Sequence, residues 1–479
     1  MKDLAERALN AAQLQGASYA DARILQRKTQ SIVVKNGHVE ALAQDDDQGF
    51  GVRVVVNGAW GFASSSVLTL DEATHVAARA ADIARASSLV KIHDVTLGPP
   101  EVHVARYETP VEVDPFSVPL QDKIALLLAA DAEMRRVKGI AITESNMEFV
   151  QVEKVFASTE GSYIEQKLVE SGSGMEATAV SEGEVQTRAF PNSFGRQQGK
   201  AGYEFVRDRK LVENGQRVAD EAVSLLTAPQ CPSGITTLIL DSTQLALQVH
   251  ESCGHPIELD RVMGEEASFA GTSFLTQEKL GSYRYGSPII NIYADATIPG
   301  ALGTFGYDDE GVPAQRAAIV KGGIFSGYLT SRETASLLGA RSNGTMRADG
   351  WNRIPLIRMT NINLEPGTWE FDDLISDTDD GIYMAINKSW SIDDKRLNFQ
   401  FGTQLAYEIK KGKLGTMLKN ATYTGITPEF WASCDAICSE KHWQIWGLPN
   451  CGKGEPMQAA HVAHGAAPAR FRNVRVGIA

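Results

Sequence analysis

Gly51-Val52-Arg53-Val54-Val55-Val56-Asn57-Gly58-Ala59-Trp60-Gly61-Phe62 reads as a β-hairpin. A β-branched run and an aromatic return flank Asn-Gly, the pair that best tolerates the positive φ angles of a type I′ turn. Upstream, Ser31-Ile32-Val33-Val34-Lys35 runs into a second such pair, Asn36-Gly37. Apolar spacing predicts a helix over 2–15, with Leu4, Ala8, Leu9 and Ala12 on one side. Another helix is expected to follow the Thr69/Asp71 capping region and run through 77–86. The same order then returns. A helix is expected over 119–136, a hairpin turns at Glu160-Gly161, and a second hairpin over 175–190 turns at Glu182-Gly183. A long helix near 201–227 closes the unit. A helix followed by two glycine-turned hairpins thus occurs twice, an internal repeat that would build one α+β domain around an antiparallel sheet.

Pro229-Gln230-Cys231-Pro232-Ser233-Gly234 is the expected boundary, dividing the chain into an N-terminal α+β domain, 1–228, and a C-terminal domain, 229–479. The latter opens on the apolar strand Thr237–Leu240 and a helix over Ser242–Val249. Beyond 290 it offers short β segments over 289–293, 317–328, 382–387 and 405–410. The fold class is therefore α+β, with a β-rich C-terminal domain carrying one short helix.

A chain of 479 residues exceeds one ordinary core, which agrees with at least two domains. The net charge of −13 argues against nucleic acid as a partner, because phosphate binding needs a basic surface. Five widely spaced cysteines form no disulfide framework and suit a reducing compartment. The N-terminus has no apolar signal core, and no run approaches the roughly 18 apolar residues of a membrane span. A soluble, cytoplasmic protein is expected.

The short helix leads into His250-Glu251-Ser252-Cys253-Gly254-His255. Two imidazoles flanking a carboxylate supply two zinc ligands and a base. On a regular helix, residues five apart point about 140° from each other. A straight helix cannot aim both at one ion, so the motif demands either a π-bulge or a helix end. Gly254 inside it and Pro256 after it favour such a break. A third ligand is required. Glu258 and Asp260 are near in sequence. Cys253 should point away from the side used by Glu251. Cys434 and Cys438, spaced to share a helix face, read better as buried core residues. Cys451 sits in Pro449-Asn450-Cys451-Gly452-Lys453-Gly454, read as a glycine-rich loop with little core for a thiol to pack into.

The motif at 250–255 with the distal Cys451-Gly452-Lys453 resembles the TldD/PmbA family, also called modulators of DNA gyrase. Gly327-Tyr328-Leu329-Thr330-Ser331-Arg332, Gly344-Thr345-Met346-Arg347 and Asp380-Gly381-Ile382-Tyr383 add to the likeness. Keeping the metal motif makes the chain similar to the TldD-like branch rather than the motif-lacking TldE/PmbA-like branch. The resemblance implies a zinc metallopeptidase acting on unfolded or flexible peptides inside a dimer chamber, as a homodimer or paired with a motif-lacking subunit. It implies one zinc per chain held by His250, His255 and Cys451, with Glu251 as general base. His464 and Lys453 are candidate oxyanion donors, and strand addition to a sheet edge is the expected mode of peptide capture. Two alternatives stay open: a metal-dependent amidohydrolase acting on a small molecule, and a non-catalytic zinc-containing partner or regulatory subunit.

Overall fold

The computed structural model describes residues 1–100, 102–268 and 271–477. Its first strands are β1 (Tyr19–Lys35), β2 (His38–Val56) and β3 (Ala59–Ser65), between helices α1 (Lys2–Leu14) and α2 (Leu70–Ser88). Both Asn-Gly turns form. Asn36, Gly37, Asn57 and Gly58 have φ of 48°, 81°, 49° and 71°, the left-handed values a type I′ turn requires. Thr69 caps α2 by accepting from the Glu72 amide.

The second unit repeats this order. A short strand, β4 (Val104–Glu108), intervenes; then come α3 (Leu120–Arg135), β5 (Ile140–Ser158), β6 (Tyr163–Ser181) and β7 (Glu184–Phe190). The small strand β8 (Gln197–Gly199) follows. The helix expected over 201–227 is two helices, α4 (Glu204–Arg207) and α5 (Leu211–Thr227). Lys210 breaks it with a left-handed φ of 50°. The units share one eight-stranded sheet of order β3-β2-β1-β5-β6-β4, with β7 and β8 on β6. α1 and α2 bury their alanine faces on β1–β3, while α3 and α5 cover β5–β7. The strands outrun the apolar runs that announced them. Arg27 and Lys28 lie opposite Asp47 and Asp46 across β1 and β2, so opposite charges hold a stretch with no apolar alternation.

In the C-terminal half, β9 (Gly234–Leu240) joins four more strands in a closed ring. Asp380–Ile392 pairs with both β9 and Asn398–Lys410; Thr422–Ile426 and Ala469–Val476 complete the circuit back to β9. Closure leaves these strands no unpaired edge. β9 feeds α6 (Ser242–Val249), whose eight residues are all buried, with Asp241 capping it through the Thr243 amide at 2.9 Å. A two-stranded ribbon, Gln444–Lys453 with Gln458–Ala466, packs along α6.

The halves meet through buried charges and close backbone. Arg53 bonds Asp21 at 2.8 Å and Glu310, across the interface, at 3.2 Å. A Cβ on Gly447 would lie 2.0 Å from the Gln198 carbonyl oxygen, so only glycine fits there. Among the described residues, no helix is long and apolar enough to cross a membrane.

Candidate metal centre

α6 ends at Val249, and the chain continues as a π-helical turn over His250–Gly254 and a 3₁₀ turn over His255–Ile257. The His255 amide donates to the His250 carbonyl, an i→i+5 bond. That wider turn resolves the five-residue spacing by bringing both imidazoles to one side. Their ring centroids lie 4.8 Å apart. Gly254 lets Met359 pack close against the turn, since a Cβ there would sit 2.2 Å from Met359 Sδ.

Cys451 arrives from the ribbon. It lies on the strand Gln444–Lys453 opposite Ala460 and is buried, not in a loop. Gly452 and Gly454 after it suggest a loop, but the segment is strand, with a register shift between Leu448 and Cys451. His250, His255 and Cys451 each offer one ligand atom, all within 4.8 Å of one another. Cys451 Sγ stands 3.7 Å from His255 Nε2.

The outward nitrogens are tied down. His464 Nδ1 is 3.0 Å from the Ile362 carbonyl, which only accepts, so this nitrogen carries the proton. His464 Nε2 then accepts from His250 Nδ1 at 2.7 Å. His255 Nδ1 donates to Glu258 Oε2 at 3.1 Å. Both histidines are thereby left with a bare Nε2 toward Cys451, the arrangement by which outer partners orient metal-binding imidazoles.

Burial keeps these rings neutral. It pushes His250 down to about 4, and His255 and His464 well below the usual imidazole range. The thiols divide sharply. Burial raises Cys231 to about 11, Cys253 and Cys438 to about 12, and Cys434 further. Burial also opposes the Cys451 thiolate, but the charge of the nearby Arg358 guanidinium helps bring this thiol below its ordinary value. Arg358 donates to the Cys451 carbonyl as well. A lowered thiol between two bare imidazole nitrogens is a soft-metal donor set.

The other candidates are engaged elsewhere. Glu258 holds His255, and both oxygens of Asp260 accept from Lys453 Nζ at 2.7 and 2.8 Å. Cys253 turns away toward Tyr285. Cys434 begins a strand, Cys434–Ile437, and both it and Cys438 belong to the core, so the helical spacing considered for the pair does not arise. His464 and Lys453 are committed to His250 and Asp260, which removes both as oxyanion donors. Glu251 is buried beside His250, and Arg396 donates to its Oε2. No sequence feature marked Arg396 or Arg358, since both come from remote hairpins. Glu258 was visible as the carboxylate three residues past His255, but in a partner's role rather than a ligand's.

Models of the PmbA/TldA metallopeptidases match the chain in three pieces: domain 1 over residues 20–84, the central domain over 113–227, and the C-terminal domain over 233–477. The chain belongs to the PmbA/TldD metallopeptidase family. A metalloprotease of Methanocaldococcus jannaschii is 30% identical over 93% of this chain and 95% of its own length. A zinc metalloprotease TldD homolog of Saccharolobus solfataricus is 24% identical over 51% of this chain and 52% of its own. Two solved structures share the fold. One is a Thermotoga maritima protein described as a candidate modulator of DNA gyrase, with a TM-score of 0.78, 18% identity, and 98% and 99% of the two chains covered. The other is TldE of Thermococcus kodakarensis, with a TM-score of 0.74, 16% identity, and 99% of each chain covered. The metal motif and Cys451 both lie in the family's C-terminal domain.

Proposed function

We propose that this metallopeptidase family member is a zinc-dependent peptide-bond hydrolase, with His250, His255 and Cys451 as ligands and Glu251 as general base. The observation that carries the reading is the cluster itself: two imidazoles with bare Nε2 atoms and one lowered thiol within 4.8 Å. These are donor types zinc takes, and three of them leave a fourth position for water, as catalytic sites do. Two outer partners fix the imidazoles, which also suits a resident ion, one per chain. When bound, zinc supplies Lewis acidity that lowers the pKa of a coordinated water toward about 7.

The chain's own residues then act on protons. Arg396 holds Glu251 Oε2, and Oε1 makes no hydrogen bond to the described residues. Oε1 accepts the proton of the attacking water and returns it to the leaving amine. We assign the substrates as flexible peptides, taken in a chamber formed by two chains, in the cytoplasm. The chain pairs with itself or with a motif-lacking TldE/PmbA-like subunit. Support for pairing comes from the sequence's resemblance to a family with motif-bearing and motif-lacking branches. The division into 1–228 and 229–479 remains our proposal for the folding units.

The test is hydrolysis of an unstructured peptide by the purified protein, with and without a chelator. Cleavage should stop with chelator and return with added zinc. Glu251→Ala should keep about one zinc per chain by elemental analysis and lose cleavage by at least about a hundredfold. Retained cleavage in that variant would remove Glu251 from the mechanism.

A further inference from the structure

A cavity of about 340 Å³ lies between the face of the eight-stranded sheet turned away from its helices and the C-terminal half. Leu25, Val150, Val152, Leu168, Phe305 and Trp351 supply its apolar walls. It adjoins the candidate metal centre by two routes. Ala460, on its wall, is the cross-strand partner of Cys451. Arg347, also on its wall, donates to the Met359 carbonyl at 2.9 Å, and Met359 Sδ packs against Gly254 of the motif.

Charge in the cavity is nearly cancelled. Lys154 lies 2.9 Å from Asp309, with Arg23 at 4.0 Å from the same residue. Arg27 faces Asp349 at 3.9 Å, and Lys200 bonds Glu170. Glu148 is taken by Arg196 at 2.6 Å. Asp308 spends its oxygens on the amides of Glu310, Val312 and Met346. Arg347 is the exception. Among the described residues its side chain has no carboxylate within 4.0 Å, and its bond to Met359 is the side chain's one hydrogen bond. The rest of its donor fork has no protein acceptor, and its Cζ sits 5.6 Å from the centre of the Phe305 ring. A half-buried guanidinium with free donors is costly to leave unpaired and strong when a carboxylate meets it in two parallel bonds.

We propose that Arg347 is the anchor for a carboxylate of the peptide ligand, with the neighbouring apolar wall taking the side chain beside it. The proposal rests on the peptide-hydrolase reading and deepens it by naming what the substrate presents. A chain terminus and an acidic side chain offer the same chemistry, and the test separates them.

The experiment uses the full-length, zinc-loaded protein carrying Glu251→Gln, so that peptides bind without being cut. Fluorescence anisotropy is read with three N-terminally labelled peptides: one ending in a free carboxylate after an apolar residue, its C-terminal amide, and an amide with an internal aspartate. The free acid should bind at least about tenfold more tightly than its amide. Arg347→Met should abolish that difference, and Arg347→Lys should restore part of it. Arg347→Gln retains a donor for Met359 and reads the same difference if Arg347→Met does not fold. Tight binding of the aspartate amide, lost in the Arg347 variants, assigns the anchor to acidic side chains. Equal binding of all three peptides, or a preference that survives loss of Arg347, overturns the site. Failure of all three peptides to bind the Arg347-containing protein overturns this site together with the peptide reading.

Discussion

Replacing His464 by Phe isolates the contribution of a residue that holds a proposed ligand, His250, without being one itself. His464 is fully buried and accepts the His250 Nδ1 proton at 2.7 Å while donating to Ile362 at 3.0 Å. A phenyl ring fills most of the same space but offers no acceptor. His250 would keep a buried N–H without a partner, which costs about 1–3 kcal/mol. Part of that cost appears as fold stability and part as metal affinity, because the imidazole loses the bond that sets its tautomer and orientation. Loss of such an outer partner typically weakens metal binding about 10–100-fold, equal to about 1.4–2.7 kcal/mol. Competition with a chelator of known zinc affinity measures the change, and a thermal melt of the metal-free protein measures the stability share. His464→Gln should fall between, since its carbonyl can still accept. A zinc affinity for His464→Phe within twofold of the parent protein would refute the tautomer argument.

Two further outcomes follow from the same geometry. Cys451→Ala should drop bound zinc well below one per chain by elemental analysis while the fold survives; full occupancy would move the third ligand to Glu258 or Asp260. The metal-free protein should be acid-sensitive. His250 has a folded pKa pushed down to about 4 against about 6.5 when unfolded, so the unfolded chain binds more protons between these values. Its contribution is therefore complete above about pH 6.5 and lost as pH falls toward 4, by about 3 kcal/mol. Denaturant midpoints of the metal-free protein from pH 7 to 4 check this: His250→Gln should lose less stability over that range than the parent protein, the remaining loss coming from the buried His255 and His464, and an equal loss in both would remove His250 as a source.

Much of the fold was legible because its turns are local. Asn36-Gly37 and Asn57-Gly58 dictate their own φ angles, and α1, α2 and α3 declare themselves by period and by the Thr69 cap. The polar lengths of β1 and β2 were hidden, since Lys28 and Asp46 become strand only when each meets the other. The break at Lys210 carries no residue that requires it, so a continuous helix was the natural reading of 201–227. The sequence offers Cys451 as a candidate ligand but places it in a loop, where the structure has a strand. A glycine-rich hexapeptide reads as a loop until a partner strand, Gln458–Ala466, is there to pair it.

The division at the candidate site follows the range of the forces. A five-residue separation between imidazoles is a local geometric constraint: if both are to face one ion it calls for a π turn or a helix end, and His250–Gly254 adopts the π turn. A carboxylate next to a histidine is likewise a matter of adjacency in the chain. Which thiol stands beside those imidazoles, and which groups hold their far nitrogens, depends on closing a ring of strands and laying a ribbon on α6. Glu258, His464, Arg358 and Arg396 take up their positions through that packing. So does the lowering of Cys451 while burial raises the other four thiols, because a charge's field acts through space and the sequence orders residues only along the chain.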